Sequence, residues 1–107
     1  MSKPLNIQII ARARSLIEKK EHWCCGALAL DARGTTVSPV GSQAVRRCAL
    51  GALIAAAYDI INDYQQAHHL AIDAVRPFQG TSTLVNINDV RGHAAVLTFL
   101  DEAIASG

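Results

Sequence analysis

The sequence contains side chains of the types that a thiol-dependent enzyme uses, namely Cys24 or Cys48, His93, and Asn88 or Asp89. They could supply a nucleophile, a base and a group that orients the base. The competing interpretation is structural, because a cysteine on an apolar helix face is usually an inert small hydrophobe. His93 could hold a backbone carbonyl, and Asp89 could cap a helix. We favour the structural interpretation and keep the enzyme, with Cys24 or Cys48 and His93, as the alternative.

Zinc binding is a second chemistry to consider, since suitable donors are His22, Cys24, Cys25, Cys48 and His93. The spacing argues against it, because the chain has no CxxC or HxxxH pair and adjacent cysteines do not easily bind one ion together. A glycine-rich phosphate loop and a nucleophile elbow are also missing from the sequence. We therefore expect no metal and no cofactor.

Trp23, Arg46 and Arg47 are the candidate binding residues. Trp23 is either a buried anchor for the loop that follows the first helix or an exposed aromatic that binds a partner. The two arginines are predicted at the start of a helix, where the dipole disfavours positive charge. Acidic side chains of the same fold, a phosphate or an acidic partner could compensate them.

The net charge and the hydropathy of the chain indicate which kinds of partner and which location to expect. The 107 residues carry a formal charge of +1, which gives no electrostatic reason to expect nucleic acid or an anionic membrane. Nucleic-acid binding through Arg12, Arg14, Arg46 and Arg47 is therefore only a third hypothesis. The uncharged run 48–58 is too short to span a bilayer, and the N-terminus lacks a signal-peptide core. We expect a cytoplasmic protein with reduced cysteines.

The periodicity predicts one mainly α domain over residues 1–107, a compact bundle of four helices. The helices are expected over about 4–20, 43–60, 64–75 and 88–105, with Ser42 capping the second and Asn62-Asp63 separating it from the third. A short hairpin with its turn at Gly34, or an irregular loop, is expected between 27 and 37. Residues 76–82 read as an interruption and 84–87 as an extended segment.

The second helix is apolar all round, which is typical of a helix at the centre of a domain. Gly51 within it would let a neighbouring helix approach closely, although glycine costs about 1 kcal/mol against alanine there. Cys48 belongs to this helix and His93 to the inner face of the last one. We expect Trp23, Cys24, Cys48 and His93 to lie close together.

Three segments carry a resemblance to a known family: Trp23-Cys24-Cys25-Gly26-Ala27, Cys48-Ala49-Leu50-Gly51-Ala52-Leu53, and Asn88-Asp89 followed by His93. The chain resembles a small bacterial and phage domain family of unknown function that has Trp-Cys-x-Gly-Ala, Cys-Ala-x-Gly-Ala-Leu and Asn-Asp…His elements. It departs from that pattern at Arg47, where a Trp often precedes the second Cys. The resemblance implies a helical domain of bacterial or phage origin and implies no activity.

For function, the leading hypothesis is a non-enzymatic module that self-associates or binds another protein. An accessory protein that modulates host machinery belongs to this class. The absence of a complete catalytic or cofactor motif motivates the hypothesis.

Overall fold

A computed structural model describes residues 4–79 and 83–107 of the chain, and these are mainly helical. Five α-helices are present there: α1 (Leu5–Leu16), α2 (Ala49–Ile61), α3 (Tyr64–Val75), α4 (Leu84–Asn86) and α5 (His93–Ser106). Two short strands, β1 (Ala29–Leu30) and β2 (Arg46–Arg47), form an antiparallel sheet. The remaining turns are 3₁₀ at Lys20–His22 and Arg76–Phe78, and π-helical at Ile87–Arg91.

The hydrophobic core lies where α1, α2, α3 and α5 meet. α2 packs against α3 and α1, and α1 also contacts α3 and α5. One face of α1 is directed into this core, and on it Ile9, Ile10 and Ala13 are fully buried. Leu53 and Leu100 contribute the largest buried side chains of α2 and α5, together with Ile54 and Val96 on the same helices. Small alanines on α2 and α3 let these helices lie close together.

The central position of α2 is confirmed, because nearly all its residues from Ala49 to Ala57 are buried. Its burial on all sides explains why its sequence lacks a polar face. α2 has only 13 residues. Across the described part of the chain, no helix combines the length and apolar character needed to cross a membrane.

The predicted count of four helices and several helix boundaries were wrong. α1 ends at Leu16 and not near residue 20, and α2 begins at Ala49 and not at residue 43. The later start of α2 follows from β2, whose pairing with β1 holds the preceding residues extended. Cys48, and not Ser42, occupies the N-cap position. The prediction for α3 was right, and Asp63 caps it by accepting from the Gln66 N–H.

The region before α5 differs most from its prediction. Residues 84–87 were expected to be extended but form α4 and the start of the π-helical turn, with Thr83 as the N-cap. Asn88 and Asp89 lie in that turn and do not open α5, which begins at His93. Of the interruption predicted over 76–82, the Arg76–Phe78 segment is a 3₁₀ turn, and residues 80–82 lie outside the described residues.

The segment between α1 and α2 contains the predicted turn but a different strand pairing. Gly34 has a φ of 84°, and the Asp31 carboxylate accepts hydrogen bonds from the backbone of Arg33 and Thr35. A single antiparallel bridge from Leu30 to Thr36 closes this turn. The two-residue ladder, however, joins β1 to β2 and not to residues 36–37. The sheet therefore ties this loop to the residues that enter α2.

Gly51 is required by a backbone contact and not by a neighbouring helix, which corrects the predicted reason. A Cβ built on Gly51 would overlap the carbonyl oxygen of Leu28, the residue just before β1. Leu28 is held there because its carbonyl accepts the Cys48 N–H at 3.1 Å. The glycine therefore lets the loop lie directly on the first turn of α2.

Ion pairs on the surface fasten α1 to its neighbours. Arg12 pairs with Asp59 of α2 at 2.8 Å, and Arg14 pairs with Asp101 of α5 at 2.7 Å and with Glu18. Each such exposed pair contributes at most about 1 kcal/mol. These contacts leave both α1 arginines engaged with acidic side chains of the same fold.

Gly51→Ala tests the close approach between the loop and α2. At an open helical position this change would stabilise the protein by about 1 kcal/mol. Here we expect destabilisation by about 1–3 kcal/mol, because the clash is with backbone and no rotamer relieves it. Urea unfolding followed by fluorescence of the single tryptophan, Trp23, measures the effect. A variant as stable as the wild type would contradict the described contact.

Candidate functional site

Asn88 is the buried polar centre of the region that the sequence singled out, with only 1% of the residue exposed. Its Oδ1 accepts hydrogen bonds from Trp23 Nε1 at 2.7 Å and from the Ala49 N–H at 2.9 Å. Its Nδ2 donates to the Cys24 carbonyl at 3.2 Å and to Asp89 Oδ1 at 3.1 Å. An amide side chain offers two donors and two acceptor lone pairs, so Asn88 is fully satisfied.

The position of Asn88 depends on the π-helical turn Ile87–Arg91, closed by a hydrogen bond from the Gly92 N–H to the Ile87 carbonyl. The turn presents Asn88 to the first residue of α2, whose N–H lacks a partner within its own helix. Asn88 therefore satisfies one free donor of α2, and Cys48 satisfies a second, since its Sγ accepts from the Gly51 N–H at 3.3 Å.

His93 and Asp89 have structural partners on either side of Asn88. His93 Nε2 lies 2.6 Å from the Ile17 carbonyl, so this nitrogen carries the proton and donates. The His93 ring also lies 5.5 Å from that of Trp23, centroid to centroid. Asp89 Oδ1 accepts the Gly26 N–H at 3.3 Å. The predicted role of His93 in holding a backbone carbonyl is confirmed, whereas Asp89 braces a loop and does not cap α5.

The structure brings the predicted group of residues together around Asn88. Trp23 contacts both Asn88 and His93. The Cys24 N–H donates to the carbonyl of Arg47, the residue before Cys48, at 3.1 Å. Cys24 and Cys48 therefore lie on adjacent backbone segments, which the Asn88 side chain bridges through Cys24 and the first residue of α2.

Cys24 and Cys48 are buried free thiols, whereas Cys25 is exposed. Burial raises the pKa of Cys24 to about 11, and the nearby Cys48 and Cys25 add to the rise. Burial also raises the pKa of Cys48, against the opposing hydrogen bond from Gly51. A reactive cysteine needs a lowered pKa. Cys48 does line a small cleft of about 260 Å³ together with Asn88 and Asp89.

Arg46 and Arg47 lie on β2 and not at the start of a helix, so the predicted conflict with a helix dipole does not arise. Arg47 is half-buried, and its Nε donates to the Pro39 carbonyl at 2.8 Å, which fixes the loop that precedes β2. Arg46 is exposed and points to the opposite side. Of the two, Arg46 is the one available to a partner.

An open groove of about 840 Å³ runs between the 3₁₀ turn after α1 and β2. We call it the cationic groove; its charged and thiol-bearing lining is Lys19, Lys20, Glu21, Cys24, Cys25 and Arg46, and Trp23 and Leu30 complete it. The three cations are exposed, and none of them forms an ion pair among residues 4–79 and 83–107. Lys19 and Lys20 were not predicted as site residues, since nothing in their spacing connects them to Arg46.

Metal ligation finds no support in the arrangement. Among the described residues, no three His, Cys, Asp or Glu side chains form a group that could hold a metal ion. Cys24 donates its thiol to the Ala27 carbonyl at 3.6 Å, and Asp89 and His93 bond backbone groups as described above.

Comparison with known protein families identifies the family of the chain. A family model described as a family of unknown function matches residues 1–106. The chain belongs to this family, DUF6197. Comparisons with curated proteins and with solved structures gave no match. The family description names no activity or ligand for this DUF6197 protein.

Replacement of Asn88 tests its place at the centre of the site. Asn88→Ala leaves the Trp23 indole N–H, the Ala49 N–H and the Cys24 carbonyl without their buried partner. Because each unsatisfied buried group costs about 1–3 kcal/mol, we expect a loss of about 3 kcal/mol in unfolding free energy. Asn86→Ala, an exposed neighbour on α4, is the matched control and should change stability little. Equal stability of the two variants would contradict the account.

Thiol reactivity tests the state of the cysteines. In native protein at pH 7.5, we expect iodoacetamide to label Cys25 first and Cys24 and Cys48 far more slowly, with mass spectrometry resolving the sites. Because the pKa of Cys24 is about 11, its labelling rate should keep rising as the pH increases from 9 towards 11. Rapid labelling of Cys24 or Cys48 below pH 7 would instead favour the thiol enzyme.

Proposed function

We propose that this DUF6197 protein is a non-enzymatic protein-interaction module of one domain. One observation carries the proposal. The side chains of Asn88, Cys48 and His93 form hydrogen bonds inside the fold, whereas the cations of the groove have no ion-pair partner in the described residues. Unpaired charges around an open groove suit recognition of another molecule, because electrostatic complementarity steers and selects partners.

The proposed setting is the reducing cytoplasm of a bacterium, with the protein acting as an accessory module, of bacterial or phage origin, that modulates host machinery. The three free cysteines and the absence of a disulfide among the described residues are compatible with such a compartment. The groove is lined by segments that Trp23 and Arg47 bridge, so its two walls are joined by backbone contacts. A surface fixed in this way loses less conformational entropy on binding, because its loops are already ordered.

The thiol-dependent enzyme with Cys24 or Cys48 and His93 is the alternative function. Its support is the shared cleft of Cys48, Asn88 and Asp89. The raised pKa values of both buried thiols favour the interaction module, because less thiolate is present at neutral pH. His93 Nε2 is also engaged by the Ile17 carbonyl, which leaves that nitrogen unable to act as a base.

Affinity capture followed by reconstitution tests the proposal. A protein captured from a bacterial extract is purified and titrated with this protein by calorimetry, and light scattering reports self-association. We expect a stoichiometric complex that Cys48→Ser forms equally well, since this buried thiol is not needed for binding. A strictly monomeric protein that binds no purified candidate would contradict the proposal. Binding or a cellular effect that needs Cys48 would favour the enzyme.

A further inference from the structure

The positive charge of the cationic groove is local and not a general property of the surface. Of the nine Lys and Arg residues in the described ranges, Arg12, Arg14 and Arg76 form ion pairs, and Arg47 donates to a backbone carbonyl. Besides Arg47, five cations there form no ion pair, and three of these five line the groove: Lys19, Lys20 and Arg46. Glu21 is the single acidic side chain of the lining, so an excess of two positive charges faces one opening.

These cations come from two segments that line the groove, which we call its walls, and apolar side chains share the lining. Lys19 and Lys20 belong to the turn after α1, and Arg46 to β2. The walls are held together, because the Trp23 N–H donates to the Lys20 carbonyl and the Cys24 N–H to the Arg47 carbonyl. The half-buried Trp23 and Leu30 contribute apolar surface to the same groove. Positive charge from both walls and apolar surface in the same groove fit a chain that lies along it.

We propose that the groove binds an acidic segment of a partner protein, in which carboxylates meet Lys19, Lys20 and Arg46 and an apolar side chain contacts Trp23 or Leu30. The inference deepens and rests on the proposed interaction function. It identifies the cationic groove as the binding surface and an acidic segment as the part of the partner that binds there. Since exposed ion pairs are individually weak and are screened by salt, binding should be weak, reversible and sensitive to salt.

A nucleic acid fits the same groove less well. Glu21 would face the phosphates, and three cations are few for a polymer whose affinity depends on neutralising many phosphates. Arg12 and Arg14 cannot extend the surface freely, since both are paired with acidic side chains.

The experiment is a fluorescence anisotropy titration of the full chain with defined probes. The first probe is a labelled peptide of Asp, Glu and Leu, the second is the same peptide with Lys in place of its acids, and the third is a short DNA duplex. Lys20→Glu with Arg46→Glu reverses one charge on each wall. Arg33→Glu with Arg91→Glu is the matched control, since it changes net charge equally at exposed cations outside the groove. Thermal unfolding confirms that both variants fold.

We expect the acidic peptide to bind wild type and the Arg33/Arg91 control alike, and the Lys20/Arg46 variant about tenfold or more weakly. Binding should weaken as salt increases, and the Lys peptide should not bind. Equal weakening in both variants, or no binding of the acidic peptide by wild type, would overturn the inference. Tighter binding of DNA that depends on Lys20 and Arg46 would overturn it in favour of a nucleic-acid partner.

Failure of this inference can be told apart from failure of the proposed function. If the Lys20/Arg46 variant still forms the reconstituted complex with a captured protein, the interaction module stands and the groove is not its surface. If no purified protein binds the wild type at all, the interaction function itself fails. Loss of the complex in the Lys20/Arg46 variant alone supports both.

Discussion

The side-chain amide of Asn88 joins three parts of the fold that are distant in sequence: the loop at Trp23 and Cys24, the start of α2 at Ala49, and its own turn before α5. Burying such a group is unfavourable unless every hydrogen bond is made. All four hydrogen bonds of the Asn88 amide are made in the native fold. An arrangement of the chain that broke them would bury unsatisfied polar groups, so Asn88 favours this one arrangement. The position of the cationic groove follows from this contact, since Trp23 and Cys24 belong to its lining.

The other polar residues of the region support the same arrangement. Cys48 caps the first turn of α2, His93 fixes the end of α1, and Asp89 braces the loop at Gly26. Gly51 lets the Leu28 carbonyl approach α2 without a clash. Together these contacts hold an irregular loop against a helical core. The conformational entropy of the groove residues is therefore lost on folding and not on binding, which suits a surface that recognises another molecule.

Much of the helical core could be predicted from the sequence, because Ile9, Ile10 and Ala13 follow helical spacing and α2 has no polar face. The start of α2 could not, since the β1–β2 pairing that overrides local helix propensity joins residues far apart in the chain. Asn88 was recognised only as one of two residues that could orient His93 or open a helix. Its real role depends on a π-helical turn, which leaves no simple periodic signal. Lys19 and Lys20 join Arg46 only through the fold.

Amide and indole hydrogen exchange tests the role of Asn88 most directly. Trp23 is the only tryptophan, so its indole N–H gives a single assignable resonance in the NMR spectrum. If Asn88 holds this N–H and that of Ala49 as described, both should exchange only through global unfolding, at rates that match the most protected amides of α2. Exchange of the indole proton at the rate of a solvent-exposed tryptophan, with the core amides still protected, would contradict the account.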